Sequence, residues 1–130
     1  MTSLAYVDAS ALVKLVVVEV ESAQMLRWYV ESERVVTSRV GIVETRRAAA
    51  RHPHDRDELQ LLLTSVEVIE FDERLAERAA SVGPILLRAL DAIHLATALA
   101  FGSELEAFVT YDDRLAEAAR AAGLPVVRPA

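Results

Sequence analysis

Asp8, Glu44, Asp91 and Asp112 are four carboxylates able to act together, and an ionised group in apolar surroundings is costly unless it is paired, hydrogen-bonded or bound to a cation. The cost is greatest at Asp91. It lies in Leu90-Asp91-Ala92-Ile93-His94-Leu95-Ala96-Thr97-Ala98, inside an apolar run from Pro84 to Phe101. That run is too uniformly apolar for a surface helix and too interrupted for a membrane span, so it predicts a core helix. Its local sequence offers Asp91 no obvious partner. If the four acids meet, they cannot all stay ionised without a cation, because like charges a few ångströms apart raise one another's pKa. A hard divalent ion, Mg2+ or Mn2+, takes oxygen ligands and leaves positions for phosphate oxygens, and it activates water for attack on phosphorus. The hydroxyls of Ser10 and Thr110, two residues from Asp8 and Asp112, are placed to orient these carboxylates. His94, one turn from Asp91, is read as a satisfied core histidine, with ligand and base as the alternatives.

Each acid has a plainer reading as well. Asp8 and Asp112 can cap helices, and Asp113 is the better placed cap of its pair. Glu44 can pair with Arg47 or Arg51 on a solvated face, and Asp91 can occupy an exposed first turn that favours the helix dipole. A single site accounts for all four at once.

The elements that must position these residues alternate along the chain. Short β-favouring runs at Leu4–Val7, Val35–Thr37, Val66–Phe71, Ala107–Thr110 and Leu124–Val127 predict strands. Between them, helical spacing covers Ala9–Leu15, a stretch capped by Glu21-Ser22, Arg39–Arg51 behind Ser38, a stretch from Asp55 or Asp57 through Leu63, Glu73–Val82, the apolar run ending at Phe101, and Arg114–Ala122. Strands separated by helices pair in parallel through crossovers, which gives an α/β fold with helices on both faces of the sheet. Ligands in such folds sit beyond the carboxyl ends of the strands, near a switch in strand order. If the first and fourth strands are neighbours, Asp8 and Asp112 meet there, within reach of Asp91 and Glu44.

Composition narrows the function classes. The 130 residues, 53% hydrophobic with mean hydropathy +0.26, suffice for one domain with a sizeable core. A net charge of −6 argues against a protein that coats nucleic acid. Seven arginines nevertheless fall between Arg27 and Arg56, so a local basic face is available. With no cysteine there is no thiol nucleophile, disulfide or zinc thiolate. No secretory leader or membrane-length apolar run is evident, and a cytoplasmic location is the expectation.

Tyr6-Val7-Asp8-Ala9-Ser10-Ala11-Leu12-Val13-Lys14-Leu15, Thr37-Ser38 with Glu44-Thr45-Arg46-Arg47-Ala48, Leu90 to Ala98, and Val109-Thr110-Tyr111-Asp112-Asp113-Arg114-Leu115 resemble, in order and spacing, the PIN-domain family, and more narrowly its VapC-type toxins. The resemblance implies a three-layer α/β/α sandwich around a parallel sheet of four to five strands, spanning residues 1–130 as one nuclease domain. It implies a metal-dependent endoribonuclease with Asp8, Glu44, Asp91 and Asp112 as the site acids and Ser10 and Thr110 at the hydroxyl positions. It also implies a homodimer, and a cognate antitoxin that covers the site, forming a heterotetramer or larger assembly. Leu12, Leu15, Val16, Trp28 and Tyr29 are candidates for the receiving surface, and Arg39, Arg46 and Arg47 for contacts to RNA. Two alternatives keep the architecture: a nuclease for single-stranded or flap DNA, and a PIN-like binding or regulatory subunit without turnover. A receiver-like phospho-acceptor domain would need a lysine near its C-terminal end, and the only lysine is Lys14.

Overall fold

The computed structural model describes residues 3–130. Strands β1 (Leu4–Val7), β2 (Val35–Ser38), β3 (Glu67–Ile69), β4 (Leu105–Val109) and β5 (Val126–Val127) form one parallel sheet in the order β3-β2-β1-β4-β5. Helices α1 (Ala9–Leu12), α2 (Ser22–Glu31), α3 (Arg39–Ala49), α4 (Arg56–Ser65), α5 (Glu73–Ser81), α6 (Ala89–Leu99) and α7 (Asp113–Ala121) connect and cover it, and a 3-10 turn over Val13–Leu15 continues α1.

The period-2 alternation of β1 divides the core. Leu4 and Tyr6 face one side, where they pack with Val36 and Phe108 against Leu95 and Ala98 of α6 and Leu115 and Ala119 of α7. Ala5 and Val7 face the other and pack with Val35, Ala107 and Val109 against Leu12, Met25 of α2 and Leu62 of α4. The three central strands are therefore apolar on both faces, as a doubly covered parallel sheet demands. The result is the three-layer α/β/α sandwich.

The carboxyl ends of β1 and β4 lie at the switch in strand order. Val7 is in register with Val109, which brings Asp8 beside Thr110, and the Asp8 amide donates to Val109 O at 3.2 Å. On the other flank Thr37 Oγ1 donates to Val7 O at 2.7 Å. A Cβ at Gly41 would collide with Thr37 Oγ1, so glycine lets α3 approach the end of β2 this closely. Glu44 follows one turn later.

Three local expectations fail. The apolar run does not begin as helix: α6 starts at Ala89, and Ile85 and Leu86 are 97% and 91% exposed. Gly83, at φ +71°, and Pro84 break the chain there, so hydropathy overstated the helix by about one turn. Glu21 is no cap by its side chain; it adopts φ 73°, and the Ser22 hydroxyl instead accepts from Glu19 N and donates to Val17 O. The third strand is shorter than Val66–Phe71, because it lies at the sheet edge and pairs only over Glu67–Ile69.

Candidate active site

Asp8, Glu44, Asp91 and Asp112 line one cavity of about 560 Å³ at the carboxyl edge of the sheet, together with Ser10, His94, Arg47, Arg51 and Arg88. Each acid arrives there from a different element.

Asp8 is 4% exposed and caps α1. Its Oδ1 accepts from Ser10 Oγ at 2.6 Å and from Ala11 N at 3.1 Å, and its Oδ2 accepts from Thr110 Oγ1. Burial raises its pKa, while His94 and the hydrogen-bond donors oppose the rise. The two hydroxyls extend the framework into the next turn: Ser10 Oγ accepts from Tyr111 N at 2.8 Å and Thr110 Oγ1 from Asp112 N at 3.0 Å. This lattice fixes Asp8 and the backbone of Asp112 relative to one another.

Asp112, not Asp113, caps α7: its Oδ1 accepts from Arg114 N at 2.9 Å and Leu115 N at 3.1 Å. The expectation that Asp113 is the cap is therefore corrected. The helix starts one residue earlier than the spacing suggests, and Asp113 instead forms an exposed ion pair with Arg128. Capping occupies Oδ1 of Asp112 and leaves Oδ2 directed to Arg88 at 3.3 Å. The cap reading and the cavity reading are both satisfied by one side chain.

Asp91 lies in the first turn of α6 and is 6% exposed. Its partner is local after all, since Arg88 Nε donates to Asp91 Oδ2 at 2.9 Å. Hydropathy hides Arg88, because it carries the apolar run as continuous helix from Pro84; the signal in the sequence is an arginine three residues before the buried acid.

Glu44 pairs with neither Arg47 nor Arg51. Its Oε1 lies 2.6 Å from His94 Nε2, and His94 Nδ1 lies 2.6 Å from the Tyr6 hydroxyl. A phenol donating to Nδ1 and an Nε2–H donating to the carboxylate satisfy all three groups. Burial holds the Tyr6 pKa well above its usual value, so the hydroxyl keeps its proton for that role. His94 is thus a buried histidine with both nitrogens engaged, and it also ties the core to the cavity wall.

This geometry coincides with a family match: residues 5–121 fit the PIN domain. The chain belongs to the PIN-domain family. Among its PIN-domain relatives, ribonuclease VapC47 of Mycobacterium tuberculosis is 38% identical over 130 residues, with 95% of this chain and 96% of the relative covered. Ribonuclease VapC35 of the same organism is 43% identical over 129 residues, with the same coverage. The crystal structure of M. tuberculosis VapC20, described as a sarcin-ricin loop cleaving toxin, superposes with a TM-score of 0.75 at 22% identity, covering 98% of this chain and 100% of that one. FitAB bound to a DNA fragment contains a chain that superposes with a TM-score of 0.70 at 17% identity, covering 97% of this chain and 94% of that one.

The arginines of this PIN domain divide. Arg47 and Arg51 line the acidic cavity. Arg39 is held by Glu70 in an exposed ion pair and Arg46 by Gln60 at 3.2 Å, so neither lines it. Of the apolar candidates, Leu12 is fully buried in the core, whereas Leu15, Val16, Trp28 and Tyr29 remain partly exposed. As the side chains stand, no three His, Cys, Asp or Glu groups among the described residues converge tightly enough to hold an ion. In donor chemistry the set fits a hard divalent cation: carboxylate oxygens from four elements around one cavity, with no thiolate.

Proposed function

We propose that this PIN domain is an endoribonuclease of the VapC type, in which Asp8, Asp91 and Asp112, with Glu44 directly or through water, hold a divalent cation, Mg2+ or Mn2+. The observation that carries the reading is the convergence of these four acids, from four different elements, on one cavity that is also lined by arginines. The VapC relatives, at 38% and 43% identity and named ribonucleases, support the substrate class.

When bound, the ion neutralises the carboxylates and acidifies water for attack on phosphorus. The chain's own residues do the rest. Ser10 and Thr110 hold both oxygens of Asp8 in a fixed orientation. His94 fixes Glu44 from behind. Arg47 and Arg51 at the cavity wall attract the RNA backbone despite the acidic net charge, with Arg39 and Arg46 as outlying contacts. A cognate antitoxin neutralises the enzyme by covering the cavity and presenting a basic side chain to the acids, docking over Leu15, Val16, Trp28 and Tyr29. The protein works in the cytoplasm as a homodimer, or as a heterotetramer or larger assembly with the antitoxin, and residues 1–130 act as one nuclease domain. Among the described residues, no helix is long and apolar enough to cross a membrane.

Purified protein freed of any partner, incubated with total RNA and separately with single-stranded and flap DNA in Mg2+, tests the reading. Cleavage of RNA that EDTA abolishes is expected. Cleavage of DNA alone would move the assignment to the DNA nuclease, and cleavage of neither would leave a regulatory subunit.

A further inference from the structure

Arg88 bridges two of the four acids. Its Nε donates to Asp91 Oδ2 at 2.9 Å and its Nη2 reaches Asp112 Oδ2 at 3.3 Å. The two carboxylates belong to α6 and to the turn before α7, so the guanidinium is the group that links them. It stands where their charges would otherwise repel. Arg47 and Arg51 line the same cavity without pairing with these acids.

We propose that Arg88 and the divalent cation are alternative occupants of the Asp91–Asp112 pair, and that Arg88, once displaced, takes phosphate oxygens of the RNA. The inference rests on the nuclease reading above and adds a residue and an order of events to it. Three features argue for exchange. The Arg88 side chain is 56% exposed while that of Asp91 is 8% exposed, so the guanidinium enters from solvent and can leave without disturbing the core. A guanidinium does not lose its proton, so near neutral pH its contacts yield to a competing cation and not to its own deprotonation. The arm to Asp112 is long at 3.3 Å, which makes it the first to yield.

While Arg88 holds the pair, its single positive charge offsets one of the two carboxylates and eases their mutual repulsion. After displacement the side chain remains at the mouth of a cavity it shares with Arg47 and Arg51. Its planar fork suits two phosphate oxygens at once, which a lysine cannot reproduce.

Calorimetric titration of Mn2+ into wild type, Arg88→Gln and Arg88→Lys, with melting temperatures in EDTA as the folding control, tests the proposal. Cleavage of a single-stranded RNA in saturating Mn2+ is measured alongside. Loss of a solvent-accessible competitor should tighten Mn2+ binding by Arg88→Gln about threefold to tenfold while KM for RNA rises. Arg88→Lys keeps the charge and should bind Mn2+ close to wild type, with KM between the other two. Unchanged or weaker Mn2+ binding in folded Arg88→Gln overturns the proposal alone, provided wild type binds Mn2+ and cleaves. If wild type binds no Mn2+, the proposal and the metal-dependent reading fail together.

Discussion

His94 joins a fully buried tyrosine to a carboxylate at the cavity wall: its Nδ1 and Nε2 each lie 2.6 Å from a partner, the Tyr6 hydroxyl and Glu44 Oε1. Both ends of this chain depend on the imidazole. His94→Leu removes it and strands the Tyr6 hydroxyl, which has no access to solvent. Leaving such a donor unpaired costs about 1–3 kcal/mol, so His94→Leu is expected to lose that much in urea denaturation. In the double variant Tyr6→Phe/His94→Leu the stranded hydroxyl is gone, and part of the loss should be recovered.

Asp8 sets a pH dependence whose sign follows from burial. Its pKa is raised in the folded protein, chiefly by desolvation. The folded state therefore holds this proton more tightly than the unfolded chain does. The stability it contributes is fully present below the unfolded pKa and is lost as pH rises through the higher, folded value. In EDTA, Asp8→Asn should melt higher than wild type near neutral pH, with the gap closing in acid. Melting curves across a pH series read this directly, and a gap that widens in acid would contradict it.

Thr110 serves two neighbours with one hydroxyl, donating to Asp8 Oδ2 and accepting from Asp112 N. Thr110→Val keeps the shape and removes both bonds. The expected loss is about 2 kcal/mol near neutral pH, in the range for bonds to charged groups. Because the broken bond is to the Asp8 carboxyl group, the loss should shrink in Asp8→Asn, a coupling that a double-mutant cycle measures.

Ile85 and Leu86 are almost fully exposed in the loop before α6. Ile85→Ser and Leu86→Ser are therefore expected to shift stability by no more than about 0.5 kcal/mol, although both residues lie in the most apolar stretch of the chain. A loss of several kcal/mol would place them in a core.

Much of this architecture was legible because parallel sheets write a plain pattern. Leu4 to Val7 is apolar without interruption because both faces of β1 are covered, and Asp8 ends the run where the chain leaves the sheet. Thr110 and Asp112 repeat that pattern after β4, and strand order alone then brings the two strand ends together. Glu44 follows from helical spacing behind the Ser38 cap.

What was hidden depended on tertiary geometry. Arg88 is linked to Asp91 only because α6 begins at Ala89, and average hydropathy carried the helix back over Ile85 and Leu86. The Gly83-Pro84 break was present but outweighed by the apolar residues after it. Asp112 and Asp113 are both plausible caps by sequence; the bond from Asp112 N to Thr110, fixed by the pairing of β4 with β1, selects the former. The role of His94 could not be read locally, since its partners come from β1 and α3. Spacing alone could not separate Arg47, at the cavity, from Arg39, which Glu70 holds at the far edge.

The most direct test of the central claim is the rate of total-RNA cleavage by Asp91→Asn beside wild type, both in saturating Mg2+ and both shown to be folded by circular dichroism. The substitution removes one charge from the cavity and keeps the side-chain shape. If Asp91 helps to hold the ion that activates water, the rate should fall by about a thousandfold or more, equivalent to several kcal/mol of transition-state stabilisation. Cleavage by folded Asp91→Asn at the wild-type rate would contradict the account.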